Sequence, residues 1–266
     1  MAADVLNSLS VPTWPATLTR IGLWSIGLGL LLAAISGPTH RLGIAGFQPA
    51  LLMLGVGALL LVVGALLAII GFLFAMMKGT PLSKGAAALG IVVAIGTIGY
   101  LLSWLRAGMG VPPIHEISTD LASPPPFVAI KEIRDAIPNL NPVEYVAELP
   151  GRGGAKTNVP ETQRKAYPDI QPILLDGIAP DAAFARCEAA ARALGWQIVA
   201  AIPTEGRLEA TDMTRFFGFK DDVVVRLRAE GGGTRIDLRS KSRVGLGDAG
   251  ANATRVRRFI ERVKAG

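Results

Sequence analysis

The sequence has little of what catalysis and metal binding usually draw on. Cys187 is its only cysteine, and His40 and His115 are its only histidines. One thiol cannot form an intrachain disulfide, and a thiolate metal site is not expected. His40 lies in an apolar region and His115 in a proline-rich one, so neither is placed to activate a serine. Aromatic residues make up only 6% of the chain, and no base-stacking motif of the RNA-recognition kind is present. The net charge of +6 therefore points to anionic lipid or an acidic partner, not to nucleic acid. Almost all of that charge comes from the last sixty or so residues, where Arg and Lys outnumber Asp and Glu, and charged residues are sparse before Arg106.

The charge-poor part holds three long apolar runs, Leu18–Ser36, Ala50–Met77 and Ala86–Trp104. Each is near the ~20 residues that cross a bilayer core, where only a helix satisfies its own backbone. The first run starts late and two more follow, which argues for a retained helix over a cleaved signal. Apart from Arg20 near the start of the first, the runs contain no Asp, Glu, Lys or Arg, so transport through these helices alone is not expected. Trp14, Trp24, Tyr100 and Trp104 lie at or near run ends, as amphipathic rings at headgroup level do. Arg20, Lys78 and Lys84 on one side outnumber Arg41 and Arg106 on the other, which predicts a cytoplasmic N-terminus and an extracytoplasmic C-terminal domain. Gly57, Gly64 and Gly71, with Gly90 and Ala94 in the third run, allow close helix packing and suit an oligomer.

Three regions follow: 1–106 as a three-helix membrane region, 107–168 as a proline- and glycine-rich spacer or wrap, and 169–266 as a soluble domain. The spacer offers a short helix over Val128–Ala136 and a loop over Pro150–Thr157. Its GRGGAKT run fails as a phosphate-binding loop, because Ala155 separates Gly154 from Lys156, the upstream glycine spacing is wrong and no apolar strand precedes it. The last region predicts a strand at Ile173–Leu175 and a helix over Pro180–Leu194. Strands at Gln197–Ile202, Arg207–Thr211, Asp222–Ala229 and Thr234–Ser240 follow, then a helix over Ala251–Lys264. Val223, Val225 and Leu227 alternate with Val224, Arg226 and Arg228, which predicts one buried and one largely wet sheet face. The order fits a two-layer α+β domain with an antiparallel meander and flanking helices.

Arg239–Asn252 is the most unusual stretch. Gly245, Gly247 and Gly250 have dinucleotide-motif spacing, but the sequence after them is too short for the next strand and its acidic ribose-binding residue. No cofactor is expected. Two readings remain. A glycine turn at a helix N-terminus, with Arg239, Lys241 and Arg243 nearby, can seat an anion. Alternatively, Asp248 or Asn252 caps the helix and the arginines pair with Asp212, Asp221, Asp222 or Asp237 in a structural network.

The segments Ile114–Phe127, Ala193–Val199, Glu209–Leu227 and Asp237–Phe259 together resemble a bacterial family, domain of unknown function 1499, across nearly all of the chain after Val111. Members commonly carry short hydrophobic spans before the domain, and the resemblance implies no reaction or ligand. Its polar motifs fall on Thr119, Asp120, Thr214, Arg215, Phe217, Phe219, Asp221, Asp222, Arg239, Ser240, Ser242, Arg243, Asp248, Asn252 and Arg255, and Phe216 stands where Leu is also common. The leading functional expectation is a non-enzymatic module at the inner membrane of a bacterial envelope, binding an anionic ligand, lipid headgroup or envelope protein. Its candidate binding residues are Arg215, Asp221, Asp222, Arg239, Ser240, Ser242, Arg243, Gly245, Gly247, Asp248, Asn252 and Arg255. An accessory or assembly subunit is the second expectation. An enzyme using Asp221, Ser240 and Arg243 is the third, although adjacent Asp221 and Asp222 point to opposite faces of a strand and cannot act as a pair.

Overall fold

In a computed structural model of the chain, residues 12–82, 84–150 and 156–266 are described. They divide into two compact units, a helical one up to Arg106, with which 216–218 group, and an α+β one over 107–215 and 219–266. Residues 1–11 lie outside the described residues, as does the Trp104 side chain, whereas Arg20, counted on the N-terminal side in the charge comparison, lies within the first helix.

The helical unit consists of α1 (Trp14–Arg41), α2 (Phe47–Lys78) and α3 (Lys84–Met109), each long and apolar enough to cross a membrane. Glycines set the spacing of α1 and α2. A Cβ on Gly64 would lie 2.8 Å from the Gly22 carbonyl oxygen, and one on Gly29 would lie 2.7 Å from that of Gly57. At Gly71 the neighbour is Thr19, whose hydroxyl donates to the Pro15 carbonyl at 3.0 Å and so leaves no unsatisfied polar group. On α3, Ala94 is buried against this pair and Gly90 meets Leu23, whereas Gly96 and Gly99 face open space. Gly64→Leu is therefore predicted to lower the melting temperature in mild detergent, with overpacking costing about 1–3 kcal/mol. Gly96→Leu leaves it nearly unchanged.

The α+β unit is built on one antiparallel sheet. Strands β1 (Glu116–Ser118), β4 (Ile173–Leu175), β5 (Gln197–Ile202), β6 (Arg207–Met213), β7 (Lys220–Glu230) and β8 (Gly233–Ser242) form it in the order β1-β8-β7-β6-β5. β4 shares the outer edge of β8 with β1, pairing Thr234–Ile236 while β1 pairs Arg239–Lys241. Helices α6 (Pro180–Ala193) and α7 (Ala251–Ala265) cover one face. There Leu208, Ala210, Val223, Val225, Leu227, Ile236 and Leu238 meet Phe184, Cys187, Val256 and Phe259 in the main core. Trp196 stacks on Phe259 with centroids 5.2 Å apart.

Two expectations change. The stretch 107–168 is more than a spacer: it supplies β1, the helix α4 (Ala129–Asp135), the hairpin β2 (Glu148–Pro150) and β3 (Lys156–Asn158), and α5 (Val159–Ala166). Ile114, Ile117 and Val159 join the main core, and Phe127, Ile130 and Val143 form a second one. The reason lies on the other side of the sheet. The face carrying Val224, expected to be largely wet, is covered by this wrap, and Val224 is buried under α4. Residues 151–155, most of the rejected phosphate-loop run, lie outside the described residues.

Candidate functional site

The strand period of two divides the polar motif of β8 between the two faces. Asp237, Arg239 and Lys241 point to the wrapped face, and Leu238, Ser240 and Ser242 to the helix face, as their register with β7 requires. Each face then builds its own network.

On the wrapped face, Glu116 of β1 receives Arg239 and, at 2.9 Å, the Lys241 ammonium. Arg239 is 2% exposed and Lys241 0% exposed, so both charges are desolvated. Their remaining donors go to the wrap backbone: Arg239 to the Pro125 and Val143 carbonyls at 3.1 and 2.7 Å, and Lys241 to the Glu144 carbonyl at 2.6 Å. The Arg239 guanidinium also lies over the Phe127 and Tyr145 rings, 4.8 and 5.7 Å from their centroids. Next to it, Arg243 grips Asp222 through two bonds of 2.9 and 2.8 Å, and Arg134 of α4 joins Asp222 at 3.4 Å. Glu209 of β6 caps α4, accepting from the amides of Val128, Ala129 and Ile130 at 3.0, 3.1 and 2.8 Å.

On the helix face, Arg255 of α7 binds Asp212 at 2.7 Å, Asp221 at 2.6 Å and the Ser240 hydroxyl at 3.1 Å. Asn252 accepts from Ser240 at 2.6 Å and donates to the Ser242 hydroxyl at 2.9 Å and the His115 carbonyl at 3.1 Å. Burial pushes the Asp221 carboxyl upward, and Arg255 pulls against it. Before α7, the turn uses positive φ at Gly245, Ala249 and Gly250. The Asp248 carboxylate occupies the helix N-terminus, accepting from the Gly250 and Asn252 amides at 2.8 and 2.9 Å.

The candidate residues thus do not form one exposed arginine- and glycine-bearing face. Arg239, Arg243 and Arg255 are interior and paired, and the amides that could seat an anion at α7 are capped by Asp248. Asp221, Ser240 and Arg243 do not converge either, since Arg243 goes to Asp222 on the opposite side of the sheet from Asp221 and Ser240. Gly245 and Gly247 stay exposed in the turn, and exposed Arg215 lines a shallow cleft with Thr214, Gly250, Thr254, Arg255 and Arg258. No group of three His, Cys, Asp or Glu side chains among the described residues is arranged to hold a metal.

Glu116, Arg134 and Glu209 are not singled out by the sequence, and Lys241 is read there only as part of an anion seat. The alternation of Asp237, Arg239, Lys241 and Arg243 was the available signal, because period two places Lys241 beside its charged neighbours on one face. His115 also gains a role. It is 4% exposed, and neither ring nitrogen completes a hydrogen bond. Burial, then the nearby Lys241 charge, hold its pKa below the ordinary value, against weaker opposition from Glu116, the Leu246 main chain and Asp248.

An antiparallel α+β domain with an ionic interior, set behind apolar helices of membrane-crossing length, is the class of protein these features define. Residues 116–263 match the family described as Protein of unknown function (DUF1499), and the chain belongs to that family. The match opens on the first residue of β1 and closes within α7. A comparison with curated proteins finds no match.

Two predictions follow from the networks. Glu116→Ala strands two buried cations and should destabilise the domain by about 3–5 kcal/mol, measured by thermal unfolding in mild detergent. For His115, the lowered folded pKa means that the unfolded chain takes up the proton first, so stability falls as pH drops below the ordinary histidine value of about 6.5. In His115→Gln, melting temperatures recorded between about pH 7 and pH 5 should fall less steeply than in the unchanged protein.

Proposed function

We propose that the chain is a membrane-anchored, non-enzymatic module whose α+β domain recognises an anionic group or an envelope protein at the bilayer surface. One observation carries this reading. The charged and hydroxyl side chains of the family motif are buried and bonded to one another, a rigid arrangement suited to presenting a fixed surface rather than to exchanging protons with a substrate. Lysine and arginine excess leaves the chain at +6, which favours anionic partners. The positive-inside bias of Arg20, Lys78 and Lys84 supports an extracytoplasmic domain at a bacterial inner membrane. The cleft beside α7 is lined by the exposed Arg215 and Arg258 and includes Arg255 and, from the stretch that first suggested an anion site, Gly250.

A second reading, an accessory or assembly subunit, is favoured by α3, whose Gly85, Gly96 and Gly99 meet nothing within 4 Å and could admit another helix closely. Purification of the full chain in mild detergent, with native mass spectrometry, separates the two. Retained anionic lipid or a captured envelope protein that is lost in Arg215→Glu/Arg258→Glu, at unchanged melting temperature, supports recognition by the domain. Capture that survives those changes but is lost in Gly96→Leu supports assembly through the helices. A reporter fused after Gly266 that behaves as cytoplasmic contradicts the sidedness.

A further inference from the structure

The motif residues Thr119 and Asp120 line a second cleft, of about 490 Å³. Its walls are the turn 119–122, the end of α5 with Arg164 and Tyr167, the segment 170–172, and Arg235 of β8. The floor is fixed. Gln163, buried, donates to the Ser118 carbonyl at 2.6 Å and accepts from the Ser118 amide at 3.0 Å, as another strand would.

Asp120 organises the charge around this cleft. One carboxylate oxygen accepts from the Ala122 and Ser123 amides at 3.1 and 2.9 Å and locks the turn. The other lies 3.1 Å from Arg226, 3.5 Å from Arg235 and 3.6 Å from Arg228. Asp237 binds the same three arginines at 2.8 to 2.9 Å. Arg228 and Arg235 are direct cross-strand partners, a like-charge pairing that is unfavourable unless carboxylates or a bound anion offset it.

The carboxylates do not exhaust the donors. Among the described residues, Arg226 Nη1, Arg228 Nε and Nη1, and Arg235 Nη1 make no hydrogen bond. Only exposed Glu230 approaches the last, at 3.8 Å. Arg164, exposed at the end of α5, also lines the cleft and makes no hydrogen bond or ion pair among the described residues. Thr119 Oγ1, in a residue 5% exposed, accepts from the Leu238 amide at 2.8 Å and donates no hydrogen bond there. The cleft thus pairs the Arg235 guanidinium, held on β8 by Asp237, with a buried hydroxyl donor and the exposed Arg164.

We propose that this cleft binds a phosphate group, with Arg235 of β8, Arg164 of α5 and the Thr119 hydroxyl donating to its oxygens. Tetrahedral phosphate takes several donors from different directions, and guanidinium forks match its geometry. The volume lies within the range of small-molecule sites. The phosphate comes from a lipid headgroup or from a soluble phosphate ester, and both share this chemistry. The proposal rests on the reading of the domain as a recognition module and gives that module a site.

The test uses the full chain in neutral detergent and in phosphatidylcholine nanodiscs with or without phosphatidylglycerol. Inorganic phosphate, titrated against chloride at matched ionic strength, should raise the melting temperature and bind saturably. Arg164→Glu should weaken that binding roughly tenfold or more while leaving the phosphate-free melting temperature unchanged, and Arg164→Lys should retain most of it. If Arg164→Glu also lowers phosphatidylglycerol retention, the headgroup is the source; if it affects only inorganic phosphate, a soluble ester is. Phosphate or phosphatidylglycerol binding that is unaltered in Arg164→Glu but lost in Arg258→Glu overturns this site and leaves the recognition module standing. Absence of any phosphate, lipid or protein ligand for the unchanged chain overturns both.

Discussion

A carboxylate buried between two cations governs the α+β unit. Removing Arg239, Lys241 and Glu116 from water is costly, and one carboxylate cannot satisfy every donor of a guanidinium and an ammonium. Main-chain carbonyls must take the remainder, and the sheet's own carbonyls are already engaged in its ladder. Those of Pro125, Val143 and Glu144 fill the need, so the segment that carries them has to dock. Asn141 fastens the same segment to the end of β8 and the following turn, donating from its side chain to the Ser242 and Gly245 carbonyls and from its amide to Arg243. What composition marks as linker is thereby the lid of a second core.

This arrangement changes where function can lie. Motif residues rich in charge suggest a binding surface, yet a charge 0 to 2% exposed offers nothing to a partner. The two faces of one strand serve two structural tasks: Arg239 and Lys241 hold the wrap, while Ser240 and Ser242 join the Asn252–Arg255 end of α7 to the sheet. Chemistry open to solvent falls instead at the margins of these networks. At one margin lies the cleft with Arg215 and Arg258, and at the other the cleft of Thr119 and Arg164. In the helical unit, by contrast, close packing comes from glycine and not from charge.

Local signals were legible. The alternating apolar pattern of β7, the proline at the start of α6 and the glycine spacing of α2 each reflect a rule that operates within a few residues, and the corresponding elements lie within two residues of expectation, except that α2 starts three residues earlier. The helix α5 carried a readable signal as well, since Asn158 caps it by accepting from the Glu161 amide and Pro160 opens its first turn. β1 had none: three residues with a buried Glu116 form a strand only because β8 supplies the partner. The burial of Arg239 and Lys241 was likewise invisible, because the groups that cover them lie more than ninety positions away in sequence. Period two could divide the motif between faces, but only tertiary contact decides which face is dry.

The measurement that bears most directly on this account is native-state hydrogen exchange of the full chain. If buried cations clasp the wrap, the Ile130 and Asn141 amides, bonded to Glu209 and to the Arg243 carbonyl, exchange only through the same global opening as the β7–β8 ladder. Exchange of those two amides through a separate, lower-energy opening, with the ladder still protected, would contradict it.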